Sequence, residues 1–194
     1  DRVDGDEFLR DYHFLFEKMQ ENSRYLLPGQ GEEIEAKMLM SGGSAWSEMQ
    51  QYLTSTVPVT YRGQTTNLSS IRNLAYDADP QVRKDAYEAE LACYERIADP
   101  VAYSLNSIKL ETISDCQLRG YDSPLDRTLK QADMKRETLD AMFAAMDEYL
   151  PKFWQYLRAK GKALGHENGL PWYDLFAPVG KAGKKYTTED ARNY

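Results

Sequence analysis

The chain is poor in the residues that most often carry recognisable chemistry. Its 194 residues include two histidines and two cysteines. Two thiols make no disulfide framework and, alone, no zinc cluster. Cys93 and Cys116 both stand in helix-like apolar surroundings, which predicts reduced, buried, structural thiols, with a single bridge left open. His13 and His166 are far apart in sequence and neither sits in a His-Glu-x-x-His arrangement, so the spacing of a catalytic zinc site is missing. The chain also lacks basic excess: 24 Lys and Arg face 31 Asp and Glu, a net charge of −7. Nucleic-acid binding needs a positive face to displace counterions, so that partner class is excluded. No apolar run approaches the roughly 20 residues that span a bilayer, and the acidic, mixed start from Asp1 to Arg10 has no signal-peptide pattern. No membrane partner is expected.

What is present is helical periodicity. Hydrophobic residues make up 42% of the chain and charged residues 28%, enough apolar material to form a core. Phe8, Tyr12, Leu15, Phe16 and Met19 fall on one helical face. Ile34, Met38 and Leu39 mark a second helix, which the Gly42-Gly43 pair is expected to stop as a left-handed cap. Ala45, Trp46, Met49 and Leu53 form a third stripe. Val57, Val59 and Tyr61 alternate before Arg62-Gly63-Gln64, which predicts one short β-hairpin over about 57–66. In Asp79-Pro80 and Asp99-Pro100, Asp caps exposed amides while Pro takes the first helical position. These signals predict two successive helices, or one bent at Pro100, ending at Gly120. A long helix follows from about Met134 to Lys162, with Pro151 kinking its apolar stripe and Gly165 ending it. The expected fold class is all-α, a multi-helix array with long kinked helices, divided into an N-terminal subdomain over 1–66 and a long-helix region over 67–194. Thr187, Thr188, Glu189 and Asp190 form a helix-entry sequence with barely one turn after it, from which a cut from a longer polypeptide is expected.

No catalytic constellation emerges. Cys93 has no activating charge nearby in sequence. There is no Gly-x-Ser-x-Gly elbow, and Gly161-Lys162 lacks the glycines of a phosphate loop. The acidic pairs Glu32-Glu33 and Glu189-Asp190 suit the first turn of a helix, where the dipole favours negative charge. His166, in the polar His-Glu-Asn-Gly turn, is expected to face solvent. Many of the 14 tyrosines, Tyr12, Tyr94 and Tyr149 among them, are expected to have rings in the core and hydroxyls at its edge. The connection Arg119-Gly120-Tyr121-Asp122-Ser123 is the one loop that offers contact chemistry, although a helix cap at Gly120 and a helix start at Asp122 or Ser123 account for it equally.

A set of short segments in a fixed order resembles the early helical region of oligoendopeptidase F, one of the thimet-oligopeptidase-like zinc metallopeptidases. The segments are Tyr25-Leu26-Leu27 with Glu32-Glu33, Ser41-Gly42 with Ala45-Trp46, Arg62-Gly63-Gln64-Thr65, and Asp79-Pro80-Gln81-Val82-Arg83 with Ala86-Tyr87. They continue through Leu105-Asn106-Ser107-Ile108, Arg119-Gly120-Tyr121-Asp122-Ser123-Pro124, Lys160-Gly161-Lys162-Ala163-Leu164-Gly165 and Trp172-Tyr173-Asp174-Leu175-Phe176-Ala177-Pro178. The resemblance implies a cytoplasmic, mostly helical peptidase whose deep channel admits short peptides. Its zinc is held by two His of a His-Glu-x-x-His helix and a Glu from a following helix, and the motif Glu acts as general base. No position of this sequence matches those residues, so no catalytic or metal residue transfers. The resemblance therefore implies an interior piece that supplies scaffold and part of the channel wall, inactive and zinc-free by itself, with the remaining polypeptide as its partner and a capacity to dimerise through the exposed cut surface. Arg119 and Tyr121 are its candidate substrate-binding residues, Arg119 as a bidentate holder of a peptide carboxylate. The rival expectation is a non-enzymatic helical module that binds protein partners through an apolar groove.

Overall fold

The computed structural model describes residue 3, residues 5–180 and residues 186–193. Among them, ten α-helices and one two-stranded antiparallel sheet make a mostly helical fold: α1 (Glu7–Arg10), α2 (His13–Ser23), α3 (Gly31–Ser41), α4 (Gly43–Thr56), β1 (Val59–Tyr61), β2 (Gln64–Thr66), α5 (Leu68–Asn73), α6 (Pro80–Tyr94), α7 (Ala98–Arg119), α8 (Pro124–Gln131), α9 (Arg136–Ala163) and α10 (Thr188–Arg192). Single 3-10 turns lie at Leu74–Tyr76 and Trp172–Asp174.

Local chemistry sets most of the boundaries. Asp79 Oδ1 accepts from the Gln81 amide at 2.9 Å and Pro80 opens α6. Ser123 caps α8 by accepting from the Asp126 amide at 3.0 Å, with Pro124 next. Gly120 (φ +77°) and Gly165 (φ +86°) adopt the left-handed conformation that closes α7 and α9. Thr187 and Asp190 form a reciprocal capping box at the start of α10. The hairpin pairs Val59 with Thr66 and Tyr61 with Gln64 across a two-residue turn. Its central residues, Arg62 (φ 48°) and Gly63 (φ 80°), are both left-handed, which matches the right-handed twist of the strands.

Some expectations change. The first stripe is two helices, because the chain turns at Asp11 and Tyr12 between α1 and α2. Helix α7 starts at Ala98, so Asp99 and Pro100 lie in its first turn. Helix α9 continues through Pro151. Gly42 is not a left-handed cap: its φ is −94°, and Gly43 is the buried first residue of α4. The pair is glycine because α7 comes close. A Cβ at Gly42 would lie 2.7 Å from Glu111 Oε2, and one at Gly43 would overlap the same carboxylate, which accepts the Gly43 amide.

The chain divides into two units, one of residues 1–52 and 99–141, the other of residues 53–98 and 142–194. The position 66/67, expected as a boundary, lies inside the second unit, because α6 packs against β1, α5 and both 3-10 turns. Apolar burial is concentrated there. Val57, Val59, Leu68, Ile71, Ala86, Cys93, Ile97 and Ala177 are buried in the second unit, whereas Cys116 is the buried hydrophobic residue of the first among those described. Phe8, Leu15, Met19, Ile34 and Met38 in the first unit, and Phe143, Met146, Phe153 and Trp154 in the second, remain exposed. Their periodicity made helices, but their apolar faces lie open. Ile71→Ala, at a site 1% exposed, should destabilise by about 3 kcal/mol, whereas Leu110→Ala, at a site 66% exposed, should stay within about 0.5 kcal/mol; urea unfolding of the two variants measures both.

Candidate functional site

In the first unit, the chain end of α7 gathers the candidate residues. Gly120 turns the backbone so that the Tyr121 amide donates back to the Cys116 carbonyl at 2.9 Å. The Tyr121 ring then stacks on Tyr25 at 4.0 Å between centroids and 3° between planes. Lys130 of α8 lies 5.5 Å from the centre of the Tyr25 ring. Burial pushes the Tyr121 phenol above its ordinary pKa.

Arg119 occupies the centre of this arrangement. Its Nε donates to Asp115 Oδ1 at 2.6 Å, one helical turn earlier. Nη1 donates to the Tyr25 carbonyl at 3.0 Å and to Glu32 Oε1 at 2.7 Å. Nη2 donates to Glu32 Oε2 at 3.0 Å and to Glu35 Oε2. Every N–H of the guanidinium is thereby used within the chain. Asp115 Oδ2 lies 2.7 Å from Arg127 Nη1 as an ion pair, without the alignment of a hydrogen bond. The hydrogen bonds from Arg119, and then that from the Leu27 amide, hold the Glu32 carboxyl down to about 2. Glu35 moves the other way, raised by burial first and by its neighbour Asp115 next. Those two carboxyls therefore respond oppositely to pH. A peptide carboxylate could reach the Arg119 guanidinium only by displacing Glu32, Glu35 or Asp115.

In the second unit, a cluster forms from residues that the sequence offered for no common purpose. Arg83, on the buried face of α6, donates from Nε to Asp174 Oδ1 at 2.8 Å, and both side chains are almost fully buried. The other Asp174 oxygen meets His166 Nε2 at 2.6 Å. His166 is accordingly half-buried and bonded, rather than the solvent-facing turn residue expected. Arg83 Nη1 donates to the carbonyls of Asp77 at 2.6 Å and Ala78 at 3.1 Å. Lys160, also buried, donates to the Leu175 carbonyl at 2.7 Å. The 169–170 backbone passes within 3.4 Å of where a Gly161 Cβ would stand, so this glycine serves close packing. Above Arg83 lies a cleft of about 460 Å³ walled by Tyr76, Tyr87, Trp172, Tyr173 and Phe176.

The reactive residue types are otherwise occupied. Cys93 and Cys116 are free and buried, and burial raises the Cys93 thiol above its usual pKa, which leaves it inert at neutral pH. His13 pairs with Glu17 at 3.1 Å on the exposed face of α2. Among the described residues, no group of three or more His, Cys, Asp and Glu is placed to hold a metal ion. The His166–Asp174–Arg83 cluster left one trace in the sequence: Asp174 is the single charged residue in the aromatic and apolar run from Pro171 to Pro178. Its pairing with Arg83 across 91 positions had none.

The pH response of the Arg119 cluster can be measured. Glu32 contributes stability above its ordinary pKa of 4.5 that disappears as the pH falls toward about 2. Glu35 contributes below its ordinary pKa, and that part fades as the pH rises through the raised value. Glu32→Gln should therefore flatten the fall in urea midpoint between pH 4.5 and about 2. An unchanged acid limb would show that Arg119 does not hold this carboxyl.

No family model matches the chain. Its sequence is 24% identical over 189 residues to the group B oligopeptidase PepB of Streptococcus agalactiae, covering 94% of this chain and 31% of that protein. It is 25% identical over 123 residues to the oligopeptidase PepF of Bacillus subtilis, covering 63% of this chain and 18% of that one. The fold is similar to the crystal structure of oligoendopeptidase-F from Enterococcus faecium, with a TM-score of 0.76 and 20% identity over 91% of this chain and 36% of that one. It is also similar to a putative peptidase from Chlamydophila abortus, with a TM-score of 0.80 and 19% identity over 97% of this chain and 32% of that one. The chain is a homologue of these oligopeptidases, shares its fold with the two solved structures, and spans about a third or less of their length.

Proposed function

We propose that this chain is the helical scaffold part of a cytoplasmic, zinc-dependent oligoendopeptidase that hydrolyses short peptides, and that it forms part of the wall of the peptide channel. The observation that carries this reading is coverage: 94% of the chain aligns with an oligopeptidase of which it makes up 31%. The open apolar faces of α2, α3 and α9 support it, because exposed hydrophobic stripes of this extent suit coverage by further polypeptide. No helix among the described residues is long and apolar enough to cross a membrane.

The described residues offer no donor set for zinc, so the proposal places the metal on other parts of the longer protein and assigns no step of hydrolysis to the residues described above. Arg119 and Tyr121 belong to the framework of the wall in this reading. Their role is to fix α3, α7 and α8 of the first unit, and a variant at Arg119 acts on peptide turnover through the shape of the wall.

Two assays with one quenched-fluorescent peptide test the proposal. The purified chain with added zinc should give no turnover, while the complete gene product should cleave the peptide and lose that activity to a chelator. Chelator-sensitive cleavage by the chain alone, or a complete product without peptidase activity, would contradict it.

A further inference from the structure

The cleft over Arg83 holds a hydrogen-bond donor that the described residues do not use. Arg83 is 3% exposed, yet its Nη2 has no hydrogen-bond partner among the described residues, all its bonds being made by Nε and Nη1. The side chain lines the cleft. Asp115 Oδ2 is the one buried side-chain atom without a hydrogen-bond partner among the described residues, so Arg83 Nη2 keeps contact with solvent and its N–H groups are open to an acceptor in the cleft.

The rest of the lining says what kind of acceptor. Tyr76, Tyr87, Trp172, Tyr173 and Phe176 present flat rings, and Trp172 is 70% exposed at the rim. Aromatic walls of this kind favour a planar apolar guest through offset or edge-to-face contact. The charges are already matched. Arg83 faces Asp174, and Arg72 is bonded from Nε to Glu90 at 2.8 Å and from Nη2 to the Tyr94 hydroxyl at 2.5 Å. Glu90 itself lines the cleft. An anion entering here would be desolvated beside a carboxylate with no uncompensated cation to receive it.

We infer that this cleft binds a neutral aromatic amide, with the aryl ring between the aromatic walls and the amide carbonyl oxygen accepting from Arg83 Nη2. Aryl carboxamides and aromatic residues within peptides share that chemistry. The site needs no zinc and no catalytic residue, so it stands or falls separately from the peptidase reading.

The test is a protein-observed NMR titration of this chain with benzamide, N-acetyl-phenylalaninamide, toluene, acetamide and benzoate. Benzamide or the phenylalanine amide should saturate with a Kd on the order of 1 mM, as a ligand of this size allows. The tighter of the two identifies the source, free aryl amide or peptide. Toluene, which keeps the ring without the acceptor, should bind about fivefold more weakly. Acetamide, which keeps the acceptor without the ring, should bind about tenfold more weakly, as should benzamide to Trp172→Ala. Trp172 is exposed, so its removal should leave the spectrum dispersed. Tyr76→Ala, at a second exposed wall residue, gives the same reading should Trp172→Ala perturb the fold. The inference is overturned by the absence of saturable shifts with both amides, by toluene, acetamide or benzoate binding as tightly as benzamide, or by aromatic variants that bind like the native chain.

Discussion

Arg83 and Asp174 form an ion pair removed from water, 2.8 Å long and 91 residues apart in sequence, and the second unit is arranged around it. The pair fixes the 3-10 turn at Trp172–Asp174 to the buried face of α6. The same Asp174 draws in His166, and Arg83 ties the 77–78 backbone by its carbonyls. Isolated buried ions are unfavourable, so each such group must satisfy several others, and the segments carrying those partners become fixed together. Apolar burial follows the same geometry, since Ala86 and Cys93 share the buried face of α6 with Arg83 and meet the hairpin and α5.

Arg119 plays a comparable part in the first unit, where apolar burial is scant. Its partners come from α3, from α7 itself and from the Tyr25 backbone. A polar joint of this kind gives direction that a small hydrophobic contact cannot, because a planar guanidinium donates to its carboxylates at few angles. The segments that resemble oligoendopeptidase F in the sequence are largely these joints: Tyr25 with Glu32, Arg119 with Tyr121, Arg83 with Ala86, Lys160 with Gly161, and Asp174 with Ala177. Each of these joints is made within the chain, by hydrogen bonds, ring stacking or close packing.

Helices and their ends were legible from local signals. Asp79-Pro80, Ser123-Pro124, Gly120 and Gly165 each work through atoms within a few residues, so the sequence carries the whole interaction. The Arg62-Gly63 turn was legible for the same reason. Gly42-Gly43 misled because its cause is remote: the glycines make room for Glu111, which no neighbouring residue announces. His166 misled likewise, since a polar turn reads as solvent-facing until Asp174 is placed beside it. Periodicity in Phe8, Leu15, Met38 and Phe153 identified helical faces correctly but said nothing about what covers them. The aromatic cleft combined both difficulties, because its walls come from segments about 90 residues apart and its donor is an arginine already paired on another side.

The dependence of the second unit on its buried pair can be measured by a double-mutant cycle with Arg83→Met and Asp174→Leu, followed by urea unfolding. Each single replacement strands a buried charge and should cost about 3–5 kcal/mol, while the double variant should recover at least about 2 kcal/mol of the summed loss. Single losses that simply add, to within about 0.5 kcal/mol, would mean that the two side chains do not act on each other and that the unit is held by its apolar contacts alone.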